Sequence, residues 1–586
     1  MKEFFKFMFA SMLGTFLTLM IITVFCTGIL VAIILASSSD EVTISKNTLL
    51  YVKLDKQIMD RAPKMPLLSN LGMANNVSGL NEILENLEKA SKDENIKGIY
   101  LDLTSIPARI STIDEIRDGL IAFKKSGKFI WAYSEAYDQG AYYLATVADK
   151  IFLNPEGMLL FKGLNSEMPF VKGTLEKLDV KIQVIRHGKF KAATEPLFLD
   201  KMSAENRKQI TEIISDIWDR ILNGISETRK ISKEDLNRYA DDLSVETAQD
   251  ALKLKFVDQL AYKDELISEM KKKLNIGEKK KIQMISLDKY TKVSSKSDAV
   301  TKCDKIAVIY AQGSIQGGNG DDQTIGSESM SKAIRKARED EKVKAIVFRV
   351  NSGGGSALAS DVIWREIDLA RKVKPVVASF GDVAGSGGYY IACAASKILA
   401  DPTTITGSIG VFGVIPNFQG LFNKKLGITF DNAATNRNSD YISVVKPLSA
   451  YQLALIQREV DHTYDVFTSK VAEGRNIPKA MVDSIGQGRI WSGTDAKSLR
   501  LIDDWGGLTK AIELAAELAK TKNFKLVSLP EQKDAIEQII DEIFGNEPSA
   551  AIRQALGEDY KYYEYIMELR EMKGVQARMP FLININ

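Results

Sequence analysis

The sequence predicts an α/β fold built twice, as tandem βαβ domains behind an N-terminal membrane helix and ahead of a helical tail. An internal repeat and the alternation of apolar strands with helical stretches of about 10 to 15 residues point to the paired domains. The repeat is direct: Asp93 to Lys150 aligns without a gap on Asp340 to Lys397. The repeat continues past this segment, because KMSAEN at Lys201 matches KPLSAY at Lys446 after a one-residue shift and KFVDQL at Lys255 matches RLIDDW at Arg500. In each copy a strand (Ile96 to Leu103; Val343 to Val350) leads through a loop to a helix (Thr112 to Lys125; Ala357 to Arg371). A second strand (Phe129 to Tyr133; Pro375 to Phe380) and a small-residue helix near Gly140 or Gly387 follow. Longer helical patterns, Ala204 to Thr228 and Ala450 to Arg475, close the halves.

The third observation is the uncharged run of residues 7–39, which exceeds the roughly 20 apolar residues that span a bilayer. A cleavable signal has an apolar core of only about 7 to 15 residues, so the run is expected to be retained as an anchor. Lys2 and Lys6 precede it while Asp40 and Glu41 follow, which places residues 1–6 in the cytoplasm and the bulk of the chain across the membrane. The polar stretch Val293 to Asp298 marks the linker. It divides the chain into domains at 40–295 and 296–529, with a tail at 530–586. In that tail Lys533 to Phe544 and Tyr560 to Lys573 have amphipathic helical spacing, suited to covering a core, a neighbouring subunit or the membrane surface.

With 586 residues there is enough chain for two cores, and a formal charge of +2 gives no reason to expect nucleic acid as a partner. The lysine runs at Lys271 to Lys273 and Lys279 to Lys281 read as solvated helix ends. Cys26 lies in the membrane run, leaving Cys303 and Cys393, the latter in a small-residue stretch that suits a packed thiol. These build neither a disulfide framework nor a metal site, and no metal or cofactor is expected. His187 and His462 are the only histidines.

The two copies differ where chemistry would sit. Gly353 to Gly355 stand opposite Ile106, Pro107 and Ala108, and Ser386 stands opposite Gln139. Ser386 lies in VAGSGGY between a strand and a helix, a geometry that exposes a hydroxyl and aims the Gly387 amide at a developing oxyanion. The glycines of Asn351 to Ser356 admit close backbone approach and suit a second donor. A serine needs a base, and the first half keeps Gly188-Lys189-Phe190-Lys191 where the second has Thr435-Asn436-Arg437-Asn438. Lys191 is the chosen base, with Lys189 and His187 as competitors. A lysine with pKa about 10.4 works as a base only if burial lowers that value.

These residues resemble the long, double-domain form of the signal peptide peptidase A (protease IV) family. The likeness rests on the SGGY segment at Ser386, TGSIGVFG from Thr406 to Gly413, the K-x-K-x-A-x-E-P segment around Lys191, the Asn351 to Ser356 loop and the terminal VQARMPF. It implies a fold related to Clp proteases and crotonases, Ser386 as nucleophile, Lys191 as general base, and the amides of Gly354 and Gly387 as oxyanion hole. It also implies a substrate groove lined by Gly407, Ser408, Ile409, Gly410 and Val411, and a homotetramer at the inner membrane, working from its periplasmic side on signal peptides and other apolar peptides. Gly353 stands where the family has proline, a change that loosens the loop. The rival readings are a crotonase-like acyl-CoA enzyme, which needs no serine and lysine pair, and a non-catalytic membrane scaffold.

Overall fold

The computed structural model describes residues 2–37, 43–63, 77–293, 303–532 and 575–579. Helix Lys2–Ser37 opens the chain, and within it Glu3–Phe25, with mean hydropathy 2.1, is long and apolar enough to cross a membrane. Residues 38–42, most of the expected linker, and the tail helices expected at Lys533 to Phe544 and Tyr560 to Lys573 lie outside the described residues.

The gapless register of the repeat is reproduced in the element bounds. Strands begin at Ile96 and Val343, helices span Ile110–Lys124 and Ala357–Arg371, second strands begin at Phe129 and Val376, and third strands begin at Lys150 and Lys397. The closing helices Ala204–Arg229 and Ala450–Arg475 are both 26 residues long. Ser203 and Ser449 cap them by accepting from the amides of Asn206 and Gln452, at 3.1 and 3.2 Å. Each cap satisfies an amide the helix cannot, worth about 1 kcal/mol.

Each half is organised around a largely parallel sheet. The first runs Gln259–Leu260, Lys150–Leu159, Phe129–Tyr137, Ile96–Asp102, Thr48–Val52, Gln283–Ser286. The second runs Ile490–Ser492, Ile405–Gly407, Val376–Gly385, Val343–Ser352, Asp304–Gln312, Phe524–Leu529. Strands covered on both faces read as near-continuous apolar runs, as VKAIVFRV does; Ile346, Val347 and Phe348 are wholly buried.

A third sheet belongs to neither half. Its order is Thr324–Gly326, Ser314–Gln316, Gly354–Ser356, Gln576–Arg578, Phe412–Asn417, Lys181–Arg186. The first half therefore contributes the edge strand Lys181–Arg186, antiparallel to Phe412–Asn417 of the second. The tail, read from sequence as helical, contributes the strand Gln576–Arg578, which pairs with the glycine-rich strand Gly354–Ser356. A three-residue strand carries too few alternating positions to stand out against amphipathic helical spacing, and its pairing partner lies more than two hundred residues upstream.

The halves are also joined through buried polar groups. The Arg349 guanidinium, in the middle of a buried strand, donates to Asp60 Oδ1 at 2.8 Å and Glu115 Oε1 at 2.5 Å, both from the first half. It donates as well to Ser379 Oγ at 3.0 Å and the Phe380 carbonyl at 3.2 Å. Burial pushes the Glu115 carboxyl up, against the opposing pull of Arg349. Nearby, Thr112 donates through its amide and hydroxyl to Asp382 at 3.0 and 2.9 Å. Replacing Arg349 with Met strands two buried carboxylates and is expected to cost about 3 to 5 kcal/mol in denaturant unfolding. The deficit should shrink as pH falls, because in the variant the folded state takes up protons more readily than the unfolded chain.

Candidate active site

Ser386 follows strand Val376–Gly385 and caps helix Gly387–Ala392 with φ 54° and ψ −116°. A non-glycine residue there stores about 1 to 3 kcal/mol of strain, which the surroundings must offset. The Ser386 amide donates to the Gly407 carbonyl at 2.8 Å, and its own carbonyl accepts from Tyr390 at 2.8 Å. In the first half the same turn is relaxed. Asp138 has φ −74° and accepts from the Ala141 amide at 2.6 Å as an ordinary cap. Gln139 accepts from the amides of Lys162 and Gly163 at 3.1 and 3.2 Å.

Lys191 reaches Ser386 because its loop is threaded into the other half. After strand Lys181–Arg186, the His187 amide donates to the Val411 carbonyl at 3.1 Å and the Phe190 amide to Gln487 at 3.0 Å. Arg186 donates to the Lys191 carbonyl at 3.2 Å. Gly488, at φ 79°, backs onto the lysine so closely that a Cβ there would fall 2.6 Å from Lys191 Cβ. Lys191 Nζ then lies 2.9 Å from Ser386 Oγ, 3.0 Å from Ser408 Oγ and 3.2 Å from the Ser408 carbonyl. Both side chains are wholly buried. Burial holds the Lys191 ammonium well below the ordinary lysine range. Among the sequence competitors, Lys189 is exposed and His187 turns to Asp461.

The expected groove residues Gly407 to Val411 are buried beneath the pair. Gly407 and Ser408 support Ser386 and Lys191 as above. The Ile409 carbonyl accepts from Gly488 at 2.8 Å, and the Gly410 carbonyl accepts from Ser386 Oγ at 3.2 Å. Gly354 has φ 96°, and its amide donates to Ser352 Oγ at 3.1 Å. Gly387 begins the helix after Ser386 and packs against the Ala577 carbonyl. Gly353, expected to loosen this loop, accepts from the Met579 amide at 2.7 Å, so the tail strand pins it.

Sequence reasoning missed three contributors: Ser408 as a direct partner of Lys191, Gly488 as its backstop, and the tail strand. For Gly488 a signal was present in GQGRIWSG, where paired glycines follow a helix. The contact of Ser408 with Lys191, and the tail pairing, depend on closure across hundreds of residues and leave no local pattern. Among the described residues there is no cluster of three or more metal-ligating side chains.

The chain is similar over most of its length to named proteases. It is 37% identical to Protease 4 of Salmonella typhi, across 80% of this chain and 76% of that protein. It is 33% identical to the chloroplastic serine protease SPPA of Arabidopsis thaliana, across 92% and 78%. Among solved structures, ClpP1 from Listeria monocytogenes overlaps 34% of this chain and 91% of its own, at 15% identity and a TM-score of 0.23. The relatives and the duplicated α/β fold define a serine protease. The model of Peptidase family S49 matches residues 122–277 and again 368–522, just over half of the chain, and the chain belongs to that family.

Gly488→Ala combines a left-handed backbone with a Cβ driven into Lys191. A displacement of about 1 Å at a reacting group can cost on the order of 100-fold in rate. The variant is expected to lose about 10- to 100-fold of peptidase turnover while its circular dichroism spectrum is retained.

Proposed function

We propose that the protein is a membrane-tethered endopeptidase that cleaves extended apolar peptides, signal peptides left in the membrane among them, through an acyl-enzyme on Ser386 with Lys191 as general base. The observation that carries this is the 2.9 Å contact between the two side chains, both fully buried and drawn from opposite halves. A lysine desolvated in this way gives up its proton more readily than a solvated one, and once deprotonated it offers a lone pair to the hydroxyl proton. Ser386 Oγ then bonds the scissile carbonyl carbon as its proton passes to Nζ. The amides of Gly387 and Gly354 steady the oxyanion, the Gly354 amide turning from Ser352 to do so. Nζ returns the proton to the departing amine, and the same lysine next activates water to release the acyl group.

The N-terminal helix supports placing the catalytic body on the extracytoplasmic side, where tethering raises its effective concentration toward peptides leaving the bilayer. Assembly as a homotetramer belongs to the same reading.

The test is peptide hydrolysis and fluorophosphonate labelling of the full chain. Ser386→Ala should abolish both, and Lys191→Ala or Lys191→Arg should lower turnover by about 10²- to 10⁴-fold, the usual worth of a general base. Full activity in either variant overturns the assignment. Wild-type turnover should rise with pH through the lowered folded value of Lys191. The stability signature has a defined sign. Between that folded value and about 10.4 the unfolded chain binds more protons, so stability rises with pH and burial of the lysine is a penalty below the window. Lys191→Met should therefore be inactive yet at least as stable as wild type at neutral pH, the difference closing as pH approaches about 10.4.

A further inference from the structure

We propose that His187 is a positioning residue for Lys191, a role that rests on the reading of Ser386 and Lys191 as the reacting pair. His187 stands four residues before Lys191 and is the side chain through which this loop grips the long helix Ala450–Arg475 of the other half. Its ring stacks on Tyr464, with centroids 4.0 Å apart and planes 22° apart, and Nδ1 lies 2.8 Å from Asp461 Oδ1. The hydrogen bond to His187 holds the Asp461 carboxyl below the usual carboxylate range. Gln457 also donates to Asp461, at 2.9 Å.

The platform under the imidazole continues to the far side of the lysine. Tyr464 is buried; its hydroxyl donates to Asp483 at 2.7 Å and accepts from the Gln487 amide at 3.2 Å. The Gln487 side chain donates to the same Asp483 oxygen at 2.7 Å. Gln487 in turn accepts from Phe190, and Gly488 after it presses on Lys191. Tyr464 thus fixes the segment behind Lys191, while His187, seated on Tyr464, fixes the segment that carries Lys191. One face of one helix sets both boundaries of the lysine's position. Arg186 is directed to the Lys191 carbonyl and Lys189 is exposed, so Asp461 is the ionised partner that the imidazole meets.

Because this grip sets the geometry of the lysine, its loss should fall on kcat and leave KM in place. The experiment compares His187→Ala, His187→Asn and Asp461→Ala in the full chain by steady-state peptide hydrolysis, fluorophosphonate labelling rate and thermal melting. His187→Ala is expected to lower kcat and the labelling rate by about 10- to 100-fold, the scale of a 1 Å misplacement, with KM within about twofold of wild type. His187→Asn, which keeps a donor near the Nδ1 position, should recover part of the loss. Asp461→Ala, a half-exposed site whose change leaves the core untouched, should reproduce the loss, and the double variant should be no worse than either single one. Turnover of His187→Ala within about twofold of wild type overturns the proposal. So does a loss that tracks a fall in melting temperature without rescue by Asn, or additive losses in the double variant. If Ser386→Ala or Lys191→Ala is itself active, the dyad reading fails first; if both are dead and His187→Ala is fully active, only this inference fails.

Discussion

A lysine ammonium taken wholly out of water, with hydroxyl and carbonyl oxygens as its partners, is the constraint on which the rest of this structure depends. Such a group is expensive to bury as a cation, and burial holds it well below the ordinary lysine range. That outcome requires water to be excluded on every side, which a single surface loop on one domain cannot do. The loop bearing Lys191 is instead enclosed by the other half, between Gly488, Gly410 and the Gly407 to Ser408 turn. The cross-domain strand pairing brings the loop to this place, and Gly488 at φ 79° admits its close approach.

The divergence of the two copies follows from the same requirement. A strained serine at a strand-to-helix turn is stabilised only where neighbouring backbone can come close, and the second half supplies glycines on both sides of Ser386. The first half has given up the strain, replacing it with a capping aspartate and a glutamine bonded to backbone amides. Freed from holding a serine, it extends an edge strand and delivers a lysine. Division of labour after duplication thus has a physical content here: one half stores strain and encloses the site, and the other contributes the lysine that is enclosed.

Much of this was legible in the sequence because it is periodic or duplicated. The βαβ order and the long closing helices are local features repeated in both copies, and within the gapless repeat the element starts agree to within one residue. Ser386 and Lys191 stood out as departures from that register, and the structure brings them within hydrogen-bond distance. Ser408 as a lysine partner was not legible, since its φ of 49° and its direction are set by the Arg489 carbonyl bonded to its amide. Nor was the strand character of Gln576–Arg578, which lies between two distant strands, Gly354–Ser356 and Phe412–Asn417.

That last pairing shows how far the site is from being a property of either half. The Ala577 carbonyl packs on Gly354 and on Gly387, and Met579 lies against Gly385, so residues flanking the serine and the glycine-rich strand are all seated on the chain's tail. Side chains at Gly354 or Gly387 would drive into the backbone of this strand, and one at Gly385 into the Met579 side chain, which gives their small size a packing reason beside the conformational one. Three segments distant in sequence therefore converge: one carrying the buried Lys191, one carrying the strained Ser386, one holding the glycine strand. The contact between the buried Lys191 and the strained Ser386 is thus a property of the assembled chain, drawn from both halves.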